Sequence, residues 1–168
     1  MSPRLLTPLV ILLLFCGTLA AETFRVLAPD RENKAIISIT ISPTDNRVIF
    51  TEDQIVTLPF SPSGLTLHPN GTDVFVSNTA NTGATVCRIA VQGDGMLQVG
   101  EASQLPHPTG YTSVDRSGHY FLSAHYRSGT LAVYPINQKG EVGPLVCAVN
   151  TPRREAHCIL TTRSEEHT

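Results

Sequence analysis

The chain has 168 residues with 12 basic and 14 acidic side chains, a formal net charge of −2 and no long charge run. Nucleic-acid binding needs a basic patch to neutralise phosphates. Only Lys34 and Lys139 are lysines, and a nucleic-acid partner is set aside. Twelve glycines, twelve prolines, no Trp and many Val, Ile and Thr suit a chain of strands and tight turns.

The first twenty residues differ from the rest. Arg4 gives a short positive region, Leu9-Val10-Ile11-Leu12-Leu13-Leu14-Phe15 an apolar run, and Thr18-Leu19-Ala20 a small-residue cleavage site. This pattern predicts a signal peptide over 1–20, removed on export to the periplasm or the medium. The apolar run is far shorter than the roughly 20 residues that span a bilayer, so no stable membrane insertion is expected after cleavage. A lipid anchor on Cys16 is disfavoured by the bulk of Phe15 before it.

Strands are expected over 24–28, 34–41, 47–51 and 54–58, and then a repeat begins. Pro62-Ser63-Gly64-Leu65-Thr66-Leu67, a Pro-Asn-Gly turn and Asp73-Val74-Phe75-Val76-Ser77 recur as Pro108-Thr109-Gly110-Tyr111-Thr112-Ser113, an Asp-Arg-Ser-Gly turn and His119-Tyr120-Phe121-Leu122-Ser123. Pro62 and Pro108, Gly64 and Gly110, and Phe75 and Phe121 are each 46 residues apart. Third strands at 84–91 and 130–136 and outer strands at 96–101 and 144–149 complete each unit, and 157–162 opens a further one.

Four short strands per repeat in the mid-forties form the unit of a β-propeller, in which each blade buries its faces against its neighbours. A β-sandwich has strands at similar spacing but no reason to repeat at this period. The expected class is therefore all-β, a β-propeller with four-stranded antiparallel blades. Residues 21–162 hold about three blades, fewer than the roughly four to eight of closed propellers. The expectation is a partial domain over 21–162. Arg163-Ser164-Glu165-Glu166-His167-Thr168 breaks the strand pattern, matches the translation of a common sequencing adapter, and reads as a non-native tail.

After signal removal three cysteines remain, Cys87, Cys147 and Cys158, with no C-x-x-C or Cys/His ligand spacing. No metal site or disulfide framework is expected, and all three read as small buried hydrophobes on strands. His68, His107 and His119 sit beside turns and read as solvated. Asn70-Gly71-Thr72 matches a glycosylation sequon but is equally good turn chemistry. There is no G-x-S-x-G elbow, Gly-rich phosphate loop or H-E-x-x-H.

The segments LHPNGTDVFVSN (67–78), SVDRSGHYFLSAHYRSGTLAVYPINQKGEVG (113–143) and EAHCILTT (155–162) resemble consecutive blades of the 6-phosphogluconolactonase-like lactonase family. These are seven-bladed propellers, and the likeness covers most of 24–162, most specifically 110–162. The resemblance implies hydrolysis of a small-molecule sugar lactone with no cofactor, by a protein that is a monomer at full length. It implies a catalytic role for His157, which matches the family's His just before an innermost strand. An imidazole there can take a proton from water and return one to the departing alkoxide.

The family's Arg and Glu partners have no counterpart here, so this chain is expected to be an inactive fragment. His125 stands where the family has Asn before Tyr126; the pair reads either as substrate contact or as interblade packing. Arg153 and Arg154 would face an anionic substrate near His157, or else a solvated loop. The alternative from a different class is a non-catalytic secreted propeller that binds or scaffolds, because fold alone does not settle function.

Overall fold

The computed structural model describes residues 22–44, 46–79 and 83–161, and the backbone of 12–15. The tail at 163–168 and most of the expected signal, 1–11 and 16–20, lie outside the described residues. Twelve strands and no helix are found among those described. The chain divides into two compact units, Met1–Pro62 and Ser63–Thr168.

The first unit is one antiparallel sheet in the order β1 (Leu12–Phe15), β2 (Phe24–Asp30), β3 (Ala35–Thr44) and β4 (Arg47–Thr57). β1 comes from the apolar run of the expected signal and pairs with β2, Leu12 opposite Leu27 and Phe15 opposite Phe24. Val26, Leu27, Ala28, Ala35 and Ile36 are buried in this unit. The two strands expected at 47–51 and 54–58 are instead the single strand β4. Ser38 pairs with Gln54 and Ile39 with Glu52, which leaves Asp53 as an extra residue in a β-bulge. Its carboxylate accepts the Thr40 hydroxyl at 2.7 Å, so the polar Glu52-Asp53 pair is absorbed in the ladder rather than forming a turn.

The second unit holds two four-stranded antiparallel sheets. One runs β5 (Gly64–Leu67), β6 (Asp73–Ser77), β7 (Ala84–Val91), β8 (Leu97–Leu105); the other runs β9 (Tyr111–Val114), β10 (Tyr120–His125), β11 (Thr130–Pro135), β12 (Cys147–Asn150). The sequential order within each sheet is that of a propeller blade. Between the sheets, Phe75, Ala84, Val86 and Leu105 meet Phe121, Ala132, Tyr134 and Val142 in one buried cluster. The repeat-equivalent rings of Phe75 and Phe121 lie 5.5 Å apart at 58°, a tilted pairing contributing about 0.5–1.5 kcal/mol beyond its buried area.

The 46-residue period also appears as hydrogen bonds. Thr66 Oγ1 donates to the Thr112 carbonyl at 3.1 Å, and Ser113 Oγ donates to the Ile159 carbonyl at 2.6 Å. Each bond joins repeat-equivalent residues of neighbouring units. Residues 157–161 thus lie beside β9 as the next inner segment. They do not form the expected strand, because the described residues supply no ladder partner for them; residue 162 lies outside.

Two further expectations are corrected. Cys87 is buried, but Cys147, on the exposed strand β12, and Cys158, in the segment after it, are exposed. His68 is not a solvated turn residue. Its Nδ1 accepts the Asn70 N–H at 3.1 Å, and its Nε2 donates to the Gly118 carbonyl at 3.0 Å, tying the β5–β8 sheet to the β9–β10 turn. Asn70 serves the turn itself, its Oδ1 accepting the Thr72 and Asp73 amides at 3.0 Å each.

Candidate functional site

At one end of the second sheet, three segments converge: the start of β9, the β10–β11 turn, and the loop that follows β12. Together Gly110, Tyr111, Tyr126, Ala156 and His157 line a cleft of about 270 Å³. The repeat explains part of this convergence, because Leu65, Tyr111 and His157 occupy the same position in successive units, 46 residues apart. His157 therefore stands beside Tyr111 at the mouth of neighbouring inner segments.

The loop that delivers His157 is pinned against the β10–β11 turn. The Thr151 amide donates to the Gly129 carbonyl at 2.9 Å, and the Glu155 amide donates to the Tyr126 carbonyl at 2.7 Å. Gly129 has φ +70°. A Cβ there would come within 2.6 Å of Thr151 Oγ1 and 2.8 Å of the Arg153 carbonyl, so only glycine lets the loop lie this close. Glu155 has φ +79°, a left-handed conformation rare for a residue with a side chain.

His157 is exposed, and its ring centroid lies 4.6 Å from that of Tyr126, inclined at 53°. The Glu155 carboxylate, by hydrogen bond and by charge, raises the pKa of the Tyr126 hydroxyl. Burial raises that of Tyr111, aided by a hydrogen bond to Cys158. Both phenols therefore remain protonated at neutral pH. The site combines an exposed imidazole with two aromatic walls that carry hydroxyl groups.

The other sequence-predicted residues stand apart from the cleft lining. His125, at the end of β10, bonds through Nδ1 to Ser128 Oγ at 2.7 Å. Burial, then Arg127 and His107, lower its pKa. Arg153 and Arg154 are exposed on the loop. Sequence reasoning missed Tyr111 and Glu155. The Leu65–Tyr111–His157 series could have flagged the first; a left-handed Glu leaves no mark in a sequence.

A second cleft of about 300 Å³ lies at the opposite end of the unit, lined by His68, Asp73, Arg88, His119 and Lys139 among others. Its buried groups are engaged with one another. Arg88 Nε lies 2.8 Å from Asp73 Oδ2, Nη2 donates to Asp73 Oδ1 at 2.9 Å, and Nη1 donates to the Lys139 carbonyl at 3.0 Å. The bidentate pair lies within the β5–β8 sheet, and the bond to the Lys139 carbonyl ties that sheet to the loop after β11. No group of His, Cys, Asp and Glu suited to hold a metal ion occurs among the described residues.

Residues 17–167 match the family described as Lactonase, 7-bladed beta-propeller. The chain belongs to this lactonase family. A 6-phosphogluconolactonase of Xenorhabdus nematophila is 27% identical over 89 residues, 53% of this chain and 26% of the relative. Among solved structures, the periplasmic gluconolactonase of Pseudomonas aeruginosa matches with a TM-score of 0.63 and 22% identity, over 76% of this chain and 39% of its own. A Lactobacillus plantarum protein matches at 0.58 and 14%, over 84% and 42%. The structural likenesses establish the fold, and this lactonase-family chain spans less than half the length of each of these relatives.

Proposed function

We propose that this lactonase-family chain supplies the His157 corner of an active site that hydrolyses a sugar lactone. One observation carries the reading: His157 lies in a cleft walled by Tyr111 and Tyr126, on a loop held by hydrogen bonds at both ends. In the reaction, water adds to the lactone carbonyl as the imidazole takes its proton. The acyl–oxygen bond then breaks, and the imidazolium returns the proton to the departing ring oxygen, leaving the open hydroxy acid.

The uncharged lactone is the better substrate for this cleft. None of the described residues lining it is Lys or Arg, and the Glu155 carboxylate beside Tyr126 repels an anionic group. His125, Arg153 and Arg154 are retained as outer contacts that reach a bound sugar from the rim. Export through the signal at 1–20 places the enzyme in the periplasm or outside the cell, where an unphosphorylated lactone is the expected substrate.

The test uses the chain extended to the family's seven blades, assayed with δ-gluconolactone with and without a 6-phosphate after subtraction of spontaneous hydrolysis. Turnover of the unphosphorylated lactone should fall about 10²- to 10⁴-fold in His157→Ala, the usual range for a general base. Full activity in that variant would remove His157 from the chemistry.

A further inference from the structure

The loop 151–157 touches the β10–β11 turn at four places that together fix one side chain. The Thr151 amide is bound to the Gly129 carbonyl at 2.9 Å, and the Glu155 amide to the Tyr126 carbonyl at 2.7 Å. The Glu155 carboxylate meets the Tyr126 hydroxyl, and the Tyr126 ring packs on the His157 imidazole at 4.6 Å. Glu155 therefore grips Tyr126 from both its main chain and its side chain, and Tyr126 in turn holds the ring of His157.

The backbone makes the grip selective. A left-handed φ of +79° at a non-glycine residue persists only where surrounding contacts over-determine it. Here it turns the chain so that the amide and carboxylate of Glu155 both face Tyr126. The strain lies two residues before His157. It is compensated on the opposite side by Gly129, whose missing side chain admits the Arg153 carbonyl. His157 itself is exposed, so packing in a core does not orient it.

We propose that Tyr126 and Glu155 are positioning residues for His157, Tyr126 as the wall that sets the imidazole plane and Glu155 as the clamp that sets Tyr126. The idea rests on the catalytic reading of His157 for its purpose, but the geometry can be tested without turnover. A general base must lie within hydrogen-bonding reach of its proton, and small misplacements are costly.

The experiment records histidine ring protons of the whole chain by NMR, with His157 assigned by its loss in His157→Gln. His68, held by Gly118 and Asn70 at the far end of the unit, reports that the sheets are folded. The expected result is an upfield ring-current shift of His157 relative to exposed His119, with cross-peaks to the Tyr126 ring. Tyr126→Leu should abolish the shift while His68 stays in place. Tyr126→Phe and Glu155→Ala should weaken the cross-peaks without moving His68.

A His157 signal coinciding with that of His119 in the unaltered chain, or unchanged in Tyr126→Leu with His68 unmoved, overturns the proposal. Should Tyr126→Leu unfold the chain, the two milder variants decide: undiminished cross-peaks in both overturn it, and loss in either upholds it. In the seven-bladed protein, Tyr126→Phe and Glu155→Ala should lower kcat about ten- to a hundredfold with little change in KM. Absence of turnover in the unaltered seven-bladed protein, with the NMR geometry intact, would count against the lactonase reading and leave the clamp standing.

Discussion

Gly118 carries two requirements at once. Its φ is +76°, and a Cβ would lie 2.5 Å from His68 Nε2, the atom that donates to its own carbonyl. Gly118→Ala therefore meets the left-handed penalty, about 1–2 kcal/mol, and also displaces the hydrogen bond that links the sheets, about 1 kcal/mol. A loss of about 2–3 kcal/mol is expected, read as a lower denaturant midpoint at unchanged slope. Asp115, at the start of the same turn, gives a pH signature. Burial works against its charge. Donation from the Ser117 hydroxyl and from the Tyr120, Ser117 and His119 amides more than compensates and holds its pKa below the ordinary Asp value. A carboxyl depressed in the folded state stabilises fully above its unfolded pKa, near 4, and loses that contribution as pH falls through the folded pKa. Stability should therefore decline as the pH drops below about 4, and Asp115→Asn should flatten that slope. An unchanged slope in the variant would remove Asp115 as its source.

At the scale of elements, the N-terminal segment faces two demands. Its sequence has the pattern expected of a cleaved signal, yet the backbone of Leu12–Phe15 completes the first sheet as β1 beside β2. Export is expected to take precedence, giving a mature N-terminus at Ala21, or at Glu22 if cleavage slips by one residue. N-terminal sequencing of the exported protein checks this, and an intact Met1 in the membrane fraction would overturn it. Cleavage strips β1 from β2 and should speed amide exchange along β2. Strands and their grouping were legible because a propeller writes its period into turn residues and paired aromatics, Phe75 and Phe121 among them. The bulge at Asp53 was not, because an acidic residue inside a ladder looks the same in sequence as one in a turn. His157 entered as a candidate through family likeness alone, and the placement of Tyr111 beside it was latent in the repeat. The Glu155–Tyr126 grip depends on a backbone torsion and on two loops far apart in sequence, neither of which patterning reports.

At the scale of the whole molecule, this 168-residue chain, expressed as it stands, is expected to show no lactonase activity. A base alone does little for acyl transfer, because negative charge gathers on the carbonyl oxygen as water adds. Positioned donors that meet this charge commonly contribute about 10²–10³ in rate. Among the described residues lining the His157 cleft none is Lys or Arg, and its phenols are engaged with Glu155 and Cys158. Large apolar side chains also face solvent here: Val48, Ile49, Phe50 and Ile55 on β4, and Val149 on β12 with Val146 just before it. In a propeller, blade faces are covered by neighbouring blades, and uncovered apolar strands favour association. Light scattering of the purified chain should thus reveal oligomers that a seven-bladed extension lacks. The decisive comparison assays both proteins on δ-gluconolactone beside a buffer blank. Hydrolysis above the blank only in the extended protein, and abolished there by His157→Ala, is the expected outcome. Turnover by the 168-residue chain that disappears on His157→Ala would show instead that this cleft suffices without further donors.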